Sequence, residues 1–547
     1  MMKTVKFEKG IAFESNTTYV ATEKRYDFYW NEIPEVEEKE AYSSCKLASD
    51  HSRIAFRLIG LENVVLDFGG AELMFHGRVA PFVLKRCKNI TLKNFKIDYD
   101  RPFYTQMEVL SVADGVMEVK VCDGFDYYVK DNDLHVIGDG WDKNLNAPCQ
   151  LLWMYDKTRT KQYPFIQGCI GDVIYPMENP AVPIRHIKVE KKGDRLLLKG
   201  PFPQQWDTND GNNLLIITHE LRDKHTVAYV SCENVHFENI TIIHSPSLVL
   251  VGYGSTNIEV DGLRLYKNYN GNGRYVTSNA DSILTFNCGG DITVRKCHLE
   301  GMMDDALNFH GNYLRIDEAV GNQLTLRFPG QGRTIHCPMV YDGQTIAVYR
   351  QQTIEKKAQY QVLQVIQDEA ENCYRLKVDG DVSELCVGDF VENLSAQPKV
   401  LVEDCFIGEY RGIMRFSNRE KTVLQNCIFD NVGSCILLHG DTTYWYESGP
   451  VEDLTIRNCR FLHSNRLVLN AMGEVQFTEK EPYFHKNITV ENCSFEGCGS
   501  QGAVIARLNH VDNVVFRNNK SDGPTQIRAV ASGSIEAEGI TVIRDQV

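Results

Sequence analysis

The sequence predicts an all-β chain: a right-handed parallel β-helix, a solenoid, carrying two inserted small β-barrel-like modules. Three observations lead there. Short segments alternating polar and apolar residues with period two return every ~20–35 residues, the pattern of stacked coils. Cysteine returns within those segments at one repeat position. Two long stretches lose the repeat yet keep strand alternation, as inserted β-structure would.

Taken from the N-terminus, residues 1–103 form the first coils, ending in "CKNITLKNFKI" from Cys87. Residues 104–225 break the rhythm with "QMEVLSVADGVMEVKVCDG", "IRHIKVEKKGDRLLLKG" and "NNLLIITHE", separated by Gly/Asp turns and a loop rich in Trp, Tyr and Pro. This is the first predicted module. Residues 226–312 return to coils through "CENVHFENITI" from Cys232 and "GGDITVRKCHL" from Gly289. Residues 313–398 form the second predicted module, with "NQLTLRFPG", "TIAVYRQQ", "YQVLQVIQD" and "CVGDFVENL" at hairpin-like spacing. Coils resume over 399–547, in "EKTVLQNCIF" from Glu420, "VEDLTIRNCRF" from Val451, "HKNITVENCSF" from His485 and "HVDNVVFRNNKS" from His510.

Equivalent positions in successive coils stack at about 4.8 Å, so Cys297, Cys405, Cys427, Cys459 and Cys493 are expected to form an interior ladder of small buried side chains. No C-x-x-C pair with a matching partner supports a metal reading. The N-x-S/T sequon at Asn487 falls on the repeat motif and reads as a coil turn rather than a glycan acceptor.

The 547 residues include 58 Lys+Arg against 73 Asp+Glu, a formal charge of −15. That balance opposes phosphate backbones and anionic lipid, so neither nucleic acid nor membrane is an expected partner; a neutral ligand fits. No apolar run reaches the roughly 20 residues of a membrane helix. The start "MMKTVKFEKGIAFESNTTYV" lacks a secretory profile, and the 17 cysteines read as reduced thiols. The expectation is a cytoplasmic protein; a leader preceding this sequence would make it secreted or periplasmic. Flat solenoid surfaces also suit a homodimer.

Chemistry concentrates in "GMMDDALNFHG", Gly301 to Gly311. Asp304 and Asp305 precede a strand, where irregular backbone is expected to turn both side chains to solvent. One coil earlier, "GRYVTSNADSILTFNCGG" supplies Asp281, about 24 residues before Asp305. Stacking would gather three carboxylates. Crowding then raises one pKa above the others, giving an acid and a base without metal or cofactor, as an inverting glycosidase uses across roughly 6.5–9.5 Å. Turn capping and a calcium site are the competing readings of the pair. Asn308 and His310, on alternate positions of one strand face, favour catalysis.

The stretch from Gly273 to Gly311 resembles the signature region of glycoside hydrolase family 110, inverting exo-α-1,3-galactosidases associated with removing the blood-group B determinant. The resemblance implies a right-handed β-helix with barrel inserts, Asp281, Asp304 and Asp305 as catalytic residues, and a galactose-terminated glycan as substrate. The order of one Asp, an Asp-Asp pair a coil later and a His is also similar to polygalacturonases, which supports the mechanism and not the substrate. Asp304 is the expected general acid, with Asp281 and Asp305 activating water. Arg274, Asn279, Asn308, His310, Arg415 and His439 are expected to hydrogen-bond sugar hydroxyls, and Trp445 to stack on a sugar face. A β-helix lyase and a noncatalytic glycan-binding solenoid are the alternatives.

Overall fold

A computed structural model describes residues 2–42, 51–146, 150–158, 166–170, 185–219, 224–267, 273–329, 336–351, 353–430, 434–464, 467–473, 476–477, 483–499 and 503–545. Parts of the first module's Trp/Tyr/Pro-rich loop lie outside them. Among the described residues the helical pieces are two single 3-10 turns, Glu40–Tyr42 and Gln204–Trp206. None is long and apolar enough to cross a membrane.

Two parallel sheets are built one strand at a time. In the first, Glu62–His76, Lys88–Tyr99, Glu233–Ile242, Thr256–Asp261, Gly289–Arg295, Lys399–Glu403 and Thr422–Gln425 pair in succession, and the series continues to Val511–Arg517. In the second, Val227–Val230, Leu250–Tyr253, Ile283–Phe286, Leu307–Val320, Met414–Ser417, Ile436–Leu438 and Leu469–Ala471 do the same. Because the chain alternates between the sheets, each circuit is one coil of a parallel β-helix. Period-two alternation sends Leu307, Phe309, Met414, Phe416, Val294 and Leu299 into one continuous core.

Two ladders stiffen the turns. Cys297, Cys405, Cys427, Cys459 and Cys493 are all buried, and the Cys297 amide donates to Cys405 Sγ at 3.4 Å. Their thiols stack as expected from the repeat. Asn16, Asn63, Asn89, Asn234 and Asn257 occupy the left-handed region with φ of 53–57°, and each side-chain amide after the first donates a hydrogen bond of 2.8–3.0 Å to the asparagine of the coil before. Asn487 belongs to a similar series: φ is 53°, its Nδ2 donates to the Glu452 carbonyl at 2.8 Å, and its Oδ1 accepts from Asn513. The sequon is therefore a coil turn.

Two excursions leave this column. The pairing Lys88↔Glu233 closes over the first, and Asp291↔Lys399 over the second. In the first, seven strands between Tyr104 and Thr218 pair in a ring that closes on itself, around Met107, Val119, Met154, Leu198 and Leu215. In the second, the strand Leu307–Val320 runs on out of its coil and pairs antiparallel with Gln323–Arg327 and Phe390–Asn393. The first excursion's core includes Val276 and packs against Tyr275 and Met303, so it abuts the segment that carries the aspartates.

Candidate active site

The outward face of the second sheet changes character at one coil. Val251 and Leu284 lie side by side, buried in an apolar cluster with Val340, Val348 and Val391 of the second excursion. On the next coils the same file becomes Asn308, Arg415, Leu437 and Asn470, with His310 beside Phe286. Polar groups gather where the apolar cover ends.

The register Ile283↔Leu307 sets Asp281 one coil from Asp305, as counted from the repeat. The Ser282 amide donates to the Asp305 carbonyl at 3.1 Å, and the Val249 amide to the Asp281 carbonyl at 3.0 Å. Asp281 and Asp305 are 2% and 5% exposed, and Asp304 is half-buried. The expectation that both members of the pair face solvent is corrected here. Asp305 is drawn inward because the Ile413 amide donates to Oδ1 at 2.8 Å, while Arg415 Nε and Asn308 Nδ2 approach Oδ2 at 3.4 and 3.5 Å.

Burial pushes the Asp305 carboxyl up to about 7; Arg415 opposes the rise and Asp304 adds to it. Crowding of carboxylates is thus a secondary cause, and withdrawal from water the first. Asp304 offers its carbonyl to the Gly412 amide at 3.1 Å. A side chain at Gly412 would put its Cβ 2.1 Å from Asp305 Oδ1, so only glycine admits this approach.

Arg415 links Asp305 to a carboxylate that the sequence reading did not single out. Its Nη1 donates to Glu447 Oε2 at 3.2 Å and lies 3.4 Å from His439 Nδ1. Burial alone would raise the Glu447 pKa, but Arg415, with His310 and His439, holds it below the usual glutamate value. Arg415 is in turn kept protonated against its own burial by Glu447 and Asp305. Glu447 arrives by antiparallel pairing, Asn312↔Glu447 and Gly311↔Ser448, beyond the end of the coil segment of that strand. The repeat register carries no sign of this return; the loop "HGDTTYWYESGP", which holds Glu447 two residues after Trp445, is the available signal.

That loop is folded around Asp441. Its carboxylate accepts from the amides of Thr443, Tyr444, Trp445 and Tyr446, and is held below the ordinary range by those bonds against the opposing effect of burial. Trp445, 36% exposed, then borders a cavity of about 450 Å³ with Arg415, Leu437, His439, Asn470 and Met472. His310 Nδ1 lies 2.8 Å from the Gly311 carbonyl and so carries the proton, leaving Nε2 3.8 Å from Glu447 Oε1.

Asn308, His310, Arg415 and His439 therefore share one patch. Arg274 and Asn279 take other partners: Arg274 donates to Asp98 Oδ2 at 2.6 Å and to the Tyr99 carbonyl, and Asn279 Nδ2 to the Phe103 carbonyl at 2.8 Å. Both tie the coils to the root of the first excursion. Among the described residues, the one grouping close enough to share a metal ion is His76, Asp100 and Asp139. His76 already faces Asp100 through Nδ1 and Asp27 through Nε2, an ion-pair network remote in sequence from the aspartates.

No family model matches the chain. It is 26% identical over 498 residues to alpha-1,3-galactosidase B of Bacteroides thetaiotaomicron, covering 88% of this chain and 77% of that protein. To alpha-1,3-galactosidase B of Parabacteroides distasonis it is 27% identical over 545 residues, covering 92% and 82%. To alpha-1,3-galactosidase A of Bacteroides thetaiotaomicron it is 28% identical over 473 residues, covering 85% and 78%. Among solved structures, the Streptococcus pneumoniae surface protein and adhesin PfbA aligns over 97% of this chain and 88% of its own, at 10% identity and a TM-score of 0.37. At that score the likeness bears on neither fold nor chemistry.

Proposed function

We propose that this protein is a glycosidase that releases terminal α-1,3-linked galactose from oligosaccharides or glycoconjugates by an inverting single displacement. The reading is supported by the three curated relatives, matched over most of their length, and above all by the one-coil register between Asp281 and Asp305 beside the cavity that Ile413 and Arg415 line.

Asp304 is the general acid, protonating the departing glycosidic oxygen. Asp305 and Asp281 orient and deprotonate the attacking water. Both Asp305 oxygens already accept N–H groups, which suits an anion, and burial strengthens its basicity toward neutral pH, where a general base works best. Arg415 steadies that anion but is itself offset by Glu447, so the patch has little net positive charge to attract acidic polymers. Asn308, His310 and His439 supply donors and acceptors for galactose hydroxyls, and Trp445 offers a ring face. Arg274 and Asn279 serve in this reading as supports of the wall.

Replacing each aspartate by Asn and comparing an aryl α-galactoside with Galα1-3Gal tests the roles. Asp304→Asn is expected to lose about 10²–10⁴-fold on the disaccharide and less on the aryl substrate, whose leaving group needs no proton. Asp281→Asn and Asp305→Asn are expected to lose both activities together. Wild-type rates in all three variants would remove the aspartates from the mechanism.

A further inference from the structure

The aspartate pair is held from behind by a short segment, Glu409 to Ile413, that joins the strand Phe406–Gly408 to the strand Met414–Ser417. Its backbone tracks the aspartate segment step by step. The Gly301 amide donates to the Glu409 carbonyl at 3.0 Å, the Arg411 amide to the Met302 carbonyl at 3.0 Å, and the Gly412 amide to the Asp304 carbonyl at 3.1 Å. The Ile413 amide then reaches the Asp305 carboxylate at 2.8 Å, and the Ala306 amide returns to the Ile413 carbonyl at 3.2 Å. Wherever this segment moves, the two aspartates move with it.

The other side of the segment is gripped by the first excursion. Trp153 and Tyr155 occupy positions i and i+2 of the strand Gln150–Asp156 and so face the same way. Tyr155 Oη donates to Glu409 Oε2 at 2.5 Å, and the Arg411 guanidinium lies over the Trp153 ring, 3.0 Å from its centroid. Lys267, from the coil, completes the grip. It ion-pairs with Glu409, donates to Tyr155 Oη at 3.0 Å and lies over the Tyr155 and Tyr275 rings. Lys267 is 5% exposed, so these charges meet out of water, where a cation over a ring and a paired carboxylate hold most firmly.

We propose that the first excursion positions the catalytic pair through this segment: Glu409 and Arg411, clasped by Tyr155, Lys267 and Trp153, are positioning residues that set the Gly412 and Ile413 amides against Asp304 and Asp305. The inference rests on the reading of those aspartates as catalytic. It explains why a ring of strands remote in sequence is packed against the pair's own neighbours, Met303 and Tyr275. It also assigns a second duty to the Ile413 amide, whose donation favours the ionised form of Asp305.

The test compares Tyr155→Phe, Glu409→Gln and Arg411→Met with Arg411→Lys, which keeps a cation over Trp153. Gly412→Ala, whose Cβ would collide with the Asp305 carboxylate and the pair's backbone, is a second and independent perturbation. The first three variants are expected to lower kcat on Galα1-3Gal about 10–100-fold with little change in KM, as small misplacements of reacting groups do. They should move the acid limb of the pH profile upward, because a loosened Ile413 amide stabilises the Asp305 anion less. Arg411→Lys should restore most of kcat, and Gly412→Ala should lose at least as much as the others.

Hydrogen–deuterium exchange over residues 301–306 gives a readout independent of turnover, and it is expected to rise in the first three variants at unchanged melting temperature. Folded Tyr155→Phe, Glu409→Gln and Arg411→Met proteins with wild-type exchange and a wild-type pH profile would overturn the proposal. If the wild-type protein leaves α-1,3-galactosides intact while exchange still rises in the variants, the clasp stands and the catalytic reading alone falls.

Discussion

Asp305 carries the chemical logic of the site, since its ionisation is set by a balance of burial, Arg415 and neighbouring carboxylates. In the proposed mechanism Asp305 works as a base and must be ionised, so kcat/KM is expected to fall as pH drops through about 7. Glu447 raises the Asp305 pKa, and it also offsets Arg415. Glu447→Gln is therefore expected to move that acid limb to lower pH, while leaving the plateau within about 10-fold; a pH–rate series on the aryl substrate checks the direction. A limb unmoved by the substitution would mean that a group other than Asp305 titrates there. The one-coil register of Asp281 with Asp305 was legible because coil length is a counting problem. Glu447 was not, because its position depends on an antiparallel return that no periodicity encodes. Arg274 and Asn279 lay in the right stretch of sequence, yet proximity along the chain said nothing of Asp98 and Phe103, which claim them from residues far upstream.

Among elements, the coils were the most readable. Alternating apolar positions in "DITVRKCHL" and "NITVENCSF" fixed which side chains enter the core, and the recurring cysteine marked the interior ladder. The asparagine ladder was not legible: Asn16 and Asn89 open N-x-T triplets while Asn63, Asn234 and Asn257 do not, and its hydrogen bonds depend on a left-handed backbone that composition does not display. Asn89 has φ of 53° and bonds Asn63 and Asn234, each at 2.8 Å. Asn89→Ala is expected to cost about 1–2 kcal/mol, because alanine keeps the Cβ strain of that region while losing the side-chain hydrogen bonds that offset it, and Asn89→Gly less, since glycine relieves the strain and only the ladder is lost. Urea denaturation of the two variants checks the order. The excursions were recognisable as breaks in the repeat, but the contacts through which Tyr155 and Trp153 reach Glu409 and Arg411 depend on how one body seats on the other.

At the scale of the whole molecule, a stack of coils provides a rigid face, and two excursions at Lys88↔Glu233 and Asp291↔Lys399 flank the coils that bear the carboxylates. Stability should report the cost of burying one of them. The folded Asp305 pKa of about 7 lies above the 3.8 of an unburied aspartate, so between those values the folded state binds the extra proton. Stability is thus expected to fall as pH rises through that window and to level off above it, and Asp305→Asn should remove that contribution; chemical denaturation across pH 4–8 measures the slope. The central proposal is an inverting attack by water on α-1,3-linked galactose, with these aspartates as acid and base. Proton NMR of Galα1-3Gal mixed with the protein follows the first sugar released: the account predicts β-galactose appearing before mutarotation, and α-galactose first, or an intact disaccharide, would contradict it.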